Sequence, residues 1–297
     1  MTPNEYLKKI LDEQTLKNDS DELKRLREKR DEVETLLRKG FSESSPTIRY
    51  GGSKAKGTLN KTAYDVDVIC YFENDDKAAG ESLADIYENV RQALAKDYIL
   101  ITKTSALRLQ SRSYEDVHVD VVPGRFVDDK KEDAFLHRTT GDKQRLKTNL
   151  QVHIDHVRDS GVTDAIRLLK LLRCRNNLAI RHFALELLTI ELLDGKHDDE
   201  LSEQLKHAWT TMRDDLDSVQ IEDPANPNGN DLSELLNSGV RAELQSAASV
   251  ALDAVERDDW ESIFGKLEEE KTSDDAKARG LRSAAASVQM PTRPWCR

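Results

Sequence analysis

Asp65 and Asp67 lie one residue apart in YDVDVICYF (64–72), a run whose β-branched and aromatic texture predicts a strand. Alternation along a strand sends both carboxylates to one face and Val66 and Val68 to the other. Two like charges held side by side are costly, and a divalent cation relieves the repulsion. Carboxylates combined with phosphate oxygens are the ligands Mg²⁺ prefers. Taken alone, a DVDV run is more commonly the polar face of a half-exposed strand, so the surrounding residues decide.

About a dozen residues upstream stand Gly51, Gly52 and Ser53. Glycines permit backbone conformations that other residues avoid, and such a turn can cradle phosphate oxygens. A Walker A loop fails its context, because Gly57 rather than a lysine stands immediately before Thr58 and a strand rather than a helix is expected to follow. Further on, VHVDVVP (117–123) predicts a second strand with Asp120 on one face and Val117, Val119 and Val121 on the other. If the two strands are neighbours, three carboxylates converge beside the Gly-Gly-Ser turn. That is a two-metal arrangement for in-line displacement at phosphorus, with Asp120 also placed to take a proton.

The elements that must position these residues follow from pattern. Helices are expected over 4–16 and 19–39, the second opened by Asp19 and Glu22 at capping-box spacing and closed at Gly40. Strands are expected over 47–50, 64–72, 98–109 and 117–122, with a charged helix at 78–96. From about residue 151 the strand texture gives way to helices, including two strongly apolar ones within 162–194 and others at 231–255 and 258–270. DPANPNG (223–229) predicts a loop, and a last helix and tail follow Glu268. The fold class is α+β, divided into residues 1–155 and 156–297.

The 297 residues can close one large domain or two small ones. A net charge of −11 argues against a surface built to grip nucleic acid, although basic residues cluster between Arg167 and Arg181. No apolar run is long enough for a membrane span, and Cys70, Cys174 and Cys296 are too scattered for a disulfide framework. A cytoplasmic protein is expected, with no membrane partner and no stable nucleic acid partner.

Gly52-Ser53, then Asp65-Val66-Asp67, then Asp120 on a later strand resembles the signature of the polymerase-beta-like nucleotidyltransferases. The whole chain resembles the CD-NTases, the bacterial cyclic-oligonucleotide synthases related to cyclic GMP-AMP synthase and oligoadenylate synthase. AIRLLKLLRCRNNLAIRHFALELL (165–188) is similar to their helix pair with a lysine in the first helix and a polar-aromatic-x-Leu-Glu turn opening the second. IEDPANPNGN (221–230) resembles their Asp-Pro-x-x-Pro loop. The resemblance implies a nucleotidyltransferase domain with a mixed sheet, followed by a helical domain of the PAP/oligoadenylate-synthase substrate-binding type. It further implies that Gly52 and Ser53 hold a donor triphosphate, that Asp65, Asp67 and Asp120 bind two Mg²⁺ or Mn²⁺, and that Lys170 reaches the phosphate tail. Phe183 matches the aromatic that stacks on a nucleobase, and His182 stands where eukaryotic relatives have a phosphate-binding serine.

The residues themselves keep plainer readings open: Lys170 snorkelling to water, Phe183 in the core, and Lys54 and Lys56 in solvent. His118 shares the Asp120 face, Arg173, Arg175 and Arg181 are expected to flank the cleft, and Asp223 and Pro224 to shape a loop. The expected activity is synthesis of a cyclic di- or trinucleotide messenger from NTPs, which would reach a downstream effector in anti-phage signalling. The alternatives are transfer to an RNA 3′ end, transfer of NMP to tRNA or protein by a toxin, and a non-catalytic nucleotide-binding scaffold.

Overall fold

The computed structural model describes residues 1–62, 66–111, 119–230 and 232–268. Asp65, His118, Cys296 and the expected helix and tail after Glu268 therefore lie outside the described residues. Thr2 and Glu5 form a reciprocal capping box that opens α1 (Pro3–Glu13), with Pro3 in its first turn. The second helix, α2 (Asp21–Gly40), starts differently from the expected Asp19 box. Ser20 is its cap, its hydroxyl accepting from the Leu23 N–H at 3.2 Å.

Strand β1 (Thr47–Tyr50) runs into the expected Gly-Gly-Ser turn, which takes the form of a single helical turn, α3 (Gly52–Ala55). Strand β2 (Val66–Phe72) follows. Helix α4 (Leu83–Leu94) starts later than expected, because Ser82 and Asp85 cap it there while Asp76 ties the N–H groups of Ala78 and Ala79 into the preceding turn. The expected strand at 98–109 is two, β3 (Tyr98–Thr102) and β4 (Leu107–Ser111), folded back where the Lys103 N–H donates to the Ala106 carbonyl. Strand β5 (Val119–Phe126) continues through Pro123, and the short strands β6 (Ala134–His137) and β7 (Arg145–Thr148) were not anticipated.

The sheet order is β1-β2-β5-β4-β3. Only β2 and β5 run parallel among the described strands; the other pairs are antiparallel. On its edge away from β2, β5 pairs with β4 over Val119–Val121 and then with β6 over Gly124–Phe126. Helices α2 and α4 cover one face through Val33, Leu37, Ile86, Val90 and Leu94, packed on Val68, Cys70, Phe72, Val119 and Val121. Ile69, Tyr71, Phe126, Ala134 and Leu136 form a smaller core on the other face.

The rest is helical: α5 (Leu150–Arg158), α6 (Thr163–Asn176), α7 (His182–Leu192), α8 (Leu201–Asp214), α9 (Ser238–Glu256) and the short α10 (Trp260–Phe264). Helix α9 starts later than expected, after a separate 3₁₀ turn over Ser233–Leu236. Tyr6, Leu7, Ile10 and Leu11 of α1 are buried in this helical core with Trp209, Trp260 and Phe264. The amino-terminal helix thus crosses the expected division at residue 155. No described helix is long and apolar enough to cross a membrane.

Leu7 is fully buried among the helices, so Leu7→Ala leaves a cavity there. It should cost about 2–4 kcal/mol in urea unfolding.

Candidate active site

The parallel register sets Asp67 directly opposite Asp120. Val68, Val119 and Val121 face the core beneath α2 and α4, so the alternation turns both carboxylates to the other side. The Gly-Gly-Ser turn lies against the same spot. The Gly51 N–H donates to the Asp67 carbonyl at 3.2 Å, continuing the β1–β2 ladder by one step. Gly52 has φ +72°, and a Cβ there would lie 1.8 Å from Asp67 Oδ2. Only glycine meets both demands, so Gly52 lets the turn close directly onto a carboxylate. Ser53 follows in α3, its carbonyl accepting from the Thr58 N–H at 2.8 Å.

Asp120 is 7 % exposed. Arg108, its partner across the β4–β5 ladder, grips it from Nε to Oδ1 at 2.8 Å and from Nη2 to Oδ2 at 3.0 Å, and Lys103 also donates to Oδ2. Burial alone would raise the carboxyl; Arg108 and Lys103 outweigh it and hold its pKa below the usual aspartate range. This counts against the expectation that Asp120 takes a proton, because a carboxylate held ionised by two cations is a weak base. Neither cation was singled out in the sequence. The available signal was Arg108 alternating with Leu107 and Leu109, a charge opposite the apolar face of a strand.

The helical residues meet this turn through Glu186, which is 2 % exposed. Lys170 donates to its Oε1, the Thr58 hydroxyl donates to Oε1 at 2.8 Å, and Lys56 donates to Oε2 at 2.7 Å. Lys170 also donates to Thr58 Oγ1 at 2.8 Å. Two of the plainer readings are excluded: Lys170 does not snorkel, being 4 % exposed, and Lys56 is not in solvent. Burial raises and the two lysines lower the Glu186 carboxyl, which ends at about 2, while burial lowers the Lys170 ammonium against the pull of Glu186. Asp67 also acts on Lys170 through its charge, so the cluster lies within electrostatic reach of the carboxylates.

Phe183 opens α7 beside Lys56, whose ammonium is 5.1 Å from the ring centroid, and beside His153 of α5, whose ring is 5.0 Å away. His182 accepts on Nε2 from Arg173 at 3.3 Å, and its Nδ1 is buried with no hydrogen-bond partner among the described residues. Burial first, then Arg173 and Lys170, push its pKa down to about 3. Arg173 is buried rather than flanking an open cleft, donating to the Ile180 carbonyl, whereas Arg175 and Arg181 are exposed. Asp223 holds its own loop, as expected. Among the described residues no group of three or more His, Cys, Asp or Glu is arranged to hold a metal; the carboxylates brought together are Asp67 and Asp120.

Gly52→Ala must displace the Asp67 carboxylate, so the variant should remain folded yet lose about a hundredfold or more in nucleotidyl transfer, as should Asp67→Asn. Near-normal turnover in Gly52→Ala would refute the close approach. His182 predicts a pH effect. Unfolded, it binds a proton near pH 6.5; folded, it does so only near 3, so stability falls as pH drops through that window. His182→Gln should remove about 1.4 kcal/mol per pH unit from the slope of unfolding free energy between pH 6 and 4.

Residues 22–135, which include β1 to β5 with Gly52, Asp67 and Asp120, match the nucleotidyltransferase domain family. No curated protein matches the sequence. Among solved structures, E. coli MS115-1 CdnC with ATP is 21% identical, with 90% of this chain and 99% of that chain covered at a TM-score of 0.68. Bradyrhizobium diazoefficiens CdnG, a CD-NTase in complex with GTP, is 14% identical over 95% and 98%, at 0.66. Vibrio cholerae DncV, a cyclic AMP-GMP synthase, is 18% identical over 80% and 75%, at 0.60. Residues 22–135 thus form a domain of the nucleotidyltransferase family, and the chain has the fold of the CD-NTases over most of its length.

Proposed function

We propose that the protein joins NTPs and closes the product into a cyclic di- or trinucleotide messenger, releasing pyrophosphate. The observation that carries this reading is Asp67 opposite Asp120, with the Gly52-Ser53 turn closed onto Asp67. The fold shared with DncV, a cyclic AMP-GMP synthase, supports cyclisation over other transfers.

Asp67 and Asp120, with Asp65 as the third carboxylate by sequence, would hold Mg²⁺ or Mn²⁺, and an all-oxygen donor set suits a hard cation. When bound, such an ion neutralises phosphate charge and lowers the pKa of an attacking hydroxyl. Gly52 and Ser53 cradle the donor triphosphate. Lys170 supports that turn through Thr58 and Glu186 and adds positive charge toward the phosphate tail. Phe183 stacks on a nucleobase, and the half-buried neutral His182 precedes it in α7. An acceptor 2′ or 3′ hydroxyl oxygen forms a bond to the donor α-phosphorus. The bond from that phosphorus to the β-phosphate oxygen breaks, pyrophosphate leaves, and the hydroxyl proton passes to solvent. A second transfer within the retained linear intermediate closes the ring, helped by its high effective concentration. The product would act on an effector in bacterial anti-phage signalling, without a membrane or stable nucleic acid partner.

The test is incubation with the four NTPs and Mg²⁺ or Mn²⁺, phosphatase treatment, and mass analysis. A small product that survives phosphatase is expected, because a ring has no terminal phosphate. Products that are all phosphatase-sensitive, or that form only with added tRNA or protein, would replace this reading with terminal transfer.

A further inference from the structure

The DPANPNG loop is more than a connection between α8 and α9. Asp223 is 3 % exposed and carries three donors. The Ala225 N–H donates to Oδ1 at 2.9 Å, and the Asn230 amide donates to Oδ2 and also to the Lys147 carbonyl at 3.0 Å, tying the loop to β7. Lys143 reaches the Gly229 carbonyl at 2.8 Å from the same side. Those contacts suffice to hold a loop. The third donor serves something else: His153 Nε2, from α5, reaches Asp223 Oδ1 at 2.7 Å.

That bond fixes the imidazole, and its ring meets Phe183 at 5.0 Å between centroids with planes tilted by 52°. On the Lys56 side, the ammonium 5.1 Å from the Phe183 centroid is held by Glu186. Phe183 is therefore confined by two neighbours, each oriented by a buried carboxylate. Burial raises the Asp223 carboxyl, but His153 and Asn230 outweigh it and keep it lowered, so a charged acceptor faces the imidazole N–H.

We propose that Asp223 and His153 are positioning residues that fix the Phe183 ring as a nucleobase platform, so that the loop tunes nucleotide affinity from behind the site. The proposal rests on the reading of Phe183 as the stacking aromatic. A platform held in one orientation loses less freedom on binding than one that must be ordered by the ligand. The expected signature is selective: recognition of the base depends on the dyad, and recognition of the phosphate tail does not.

The test uses the full chain with Mg²⁺ and calorimetric titration of each of the four NTPs and of inorganic tripolyphosphate. Asp223→Asn and His153→Ala should each weaken the tightest-binding NTP about five- to tenfold while shifting tripolyphosphate by less than about twofold. In a Phe183→Ala background neither should cause a further loss. Equal weakening of NTP and tripolyphosphate, or no weakening of NTP while Phe183→Ala alone weakens it, would overturn the positioning role. If Phe183→Ala leaves NTP affinity unchanged, the stacking reading itself fails and the proposal falls with it. Thermal melts report whether Asp223→Asn folds; where it does not, His153→Ala, at a partly exposed position, decides the outcome.

Discussion

Asp67 and Asp120 face each other one strand apart, and like charges so placed repel. Arg108 and Lys103 compensate Asp120 from within the sheet, through a guanidinium that is itself in register with the carboxylate. Asp67 lies against the Gly52 turn, where the lack of a side chain lets the backbone close onto its carboxylate.

The β2–β5 pair also explains why these carboxylates tolerate their position. It is the parallel ladder at the centre of the sheet, with helices α2 and α4 packed on the face opposite Asp67 and Asp120. Val68, Phe72, Val119 and Val121 are almost wholly buried there. A one-residue slip of either strand would turn those side chains outward and the aspartates into the core, so burial of the valines enforces the register that the chemistry needs.

Much of this was legible in the sequence because it is local. The alternation in DVDV and VHVDVV gives the face of each aspartate, and Gly-Gly-Ser followed by a strand gives the turn beside them. The register of two strands more than fifty residues apart is not local: alternation gives the face of each side chain, while the pairing that sets Asp67 opposite Asp120 is seen only in the fold. The split of 98–109 into two strands was hidden because the turn at Lys103–Ala106 contains no glycine or proline. Strand β7 was hidden for a different reason: Arg145-Leu-Lys-Thr148 is charged and only four residues long, and pairing with β6 rather than propensity makes it a strand.

The residues hardest to foresee were the buried ionic partners, and Glu186 shows why. Its contact with Lys56 spans 130 residues of sequence, and no periodicity distinguishes a glutamate that pairs from one that faces water. In an apolar helix such as α7, a buried carboxylate is unfavourable unless its oxygens are satisfied. Here Lys170, Lys56 and Thr58 satisfy them. A well-packed apolar cluster of similar volume could give comparable stability, so stability alone does not account for this network. What an apolar cluster could not do is fix direction. Lys56 and Thr58, just after the Gly-Gly-Ser turn, donate to the Glu186 carboxylate of α7, and Thr58 accepts from the Lys170 ammonium of α6, which sets where that turn stands relative to the two helices. The spacing between the Gly52-Ser53 turn and Phe183 is therefore governed by one buried carboxylate, which links the sheet to the helical half of the molecule.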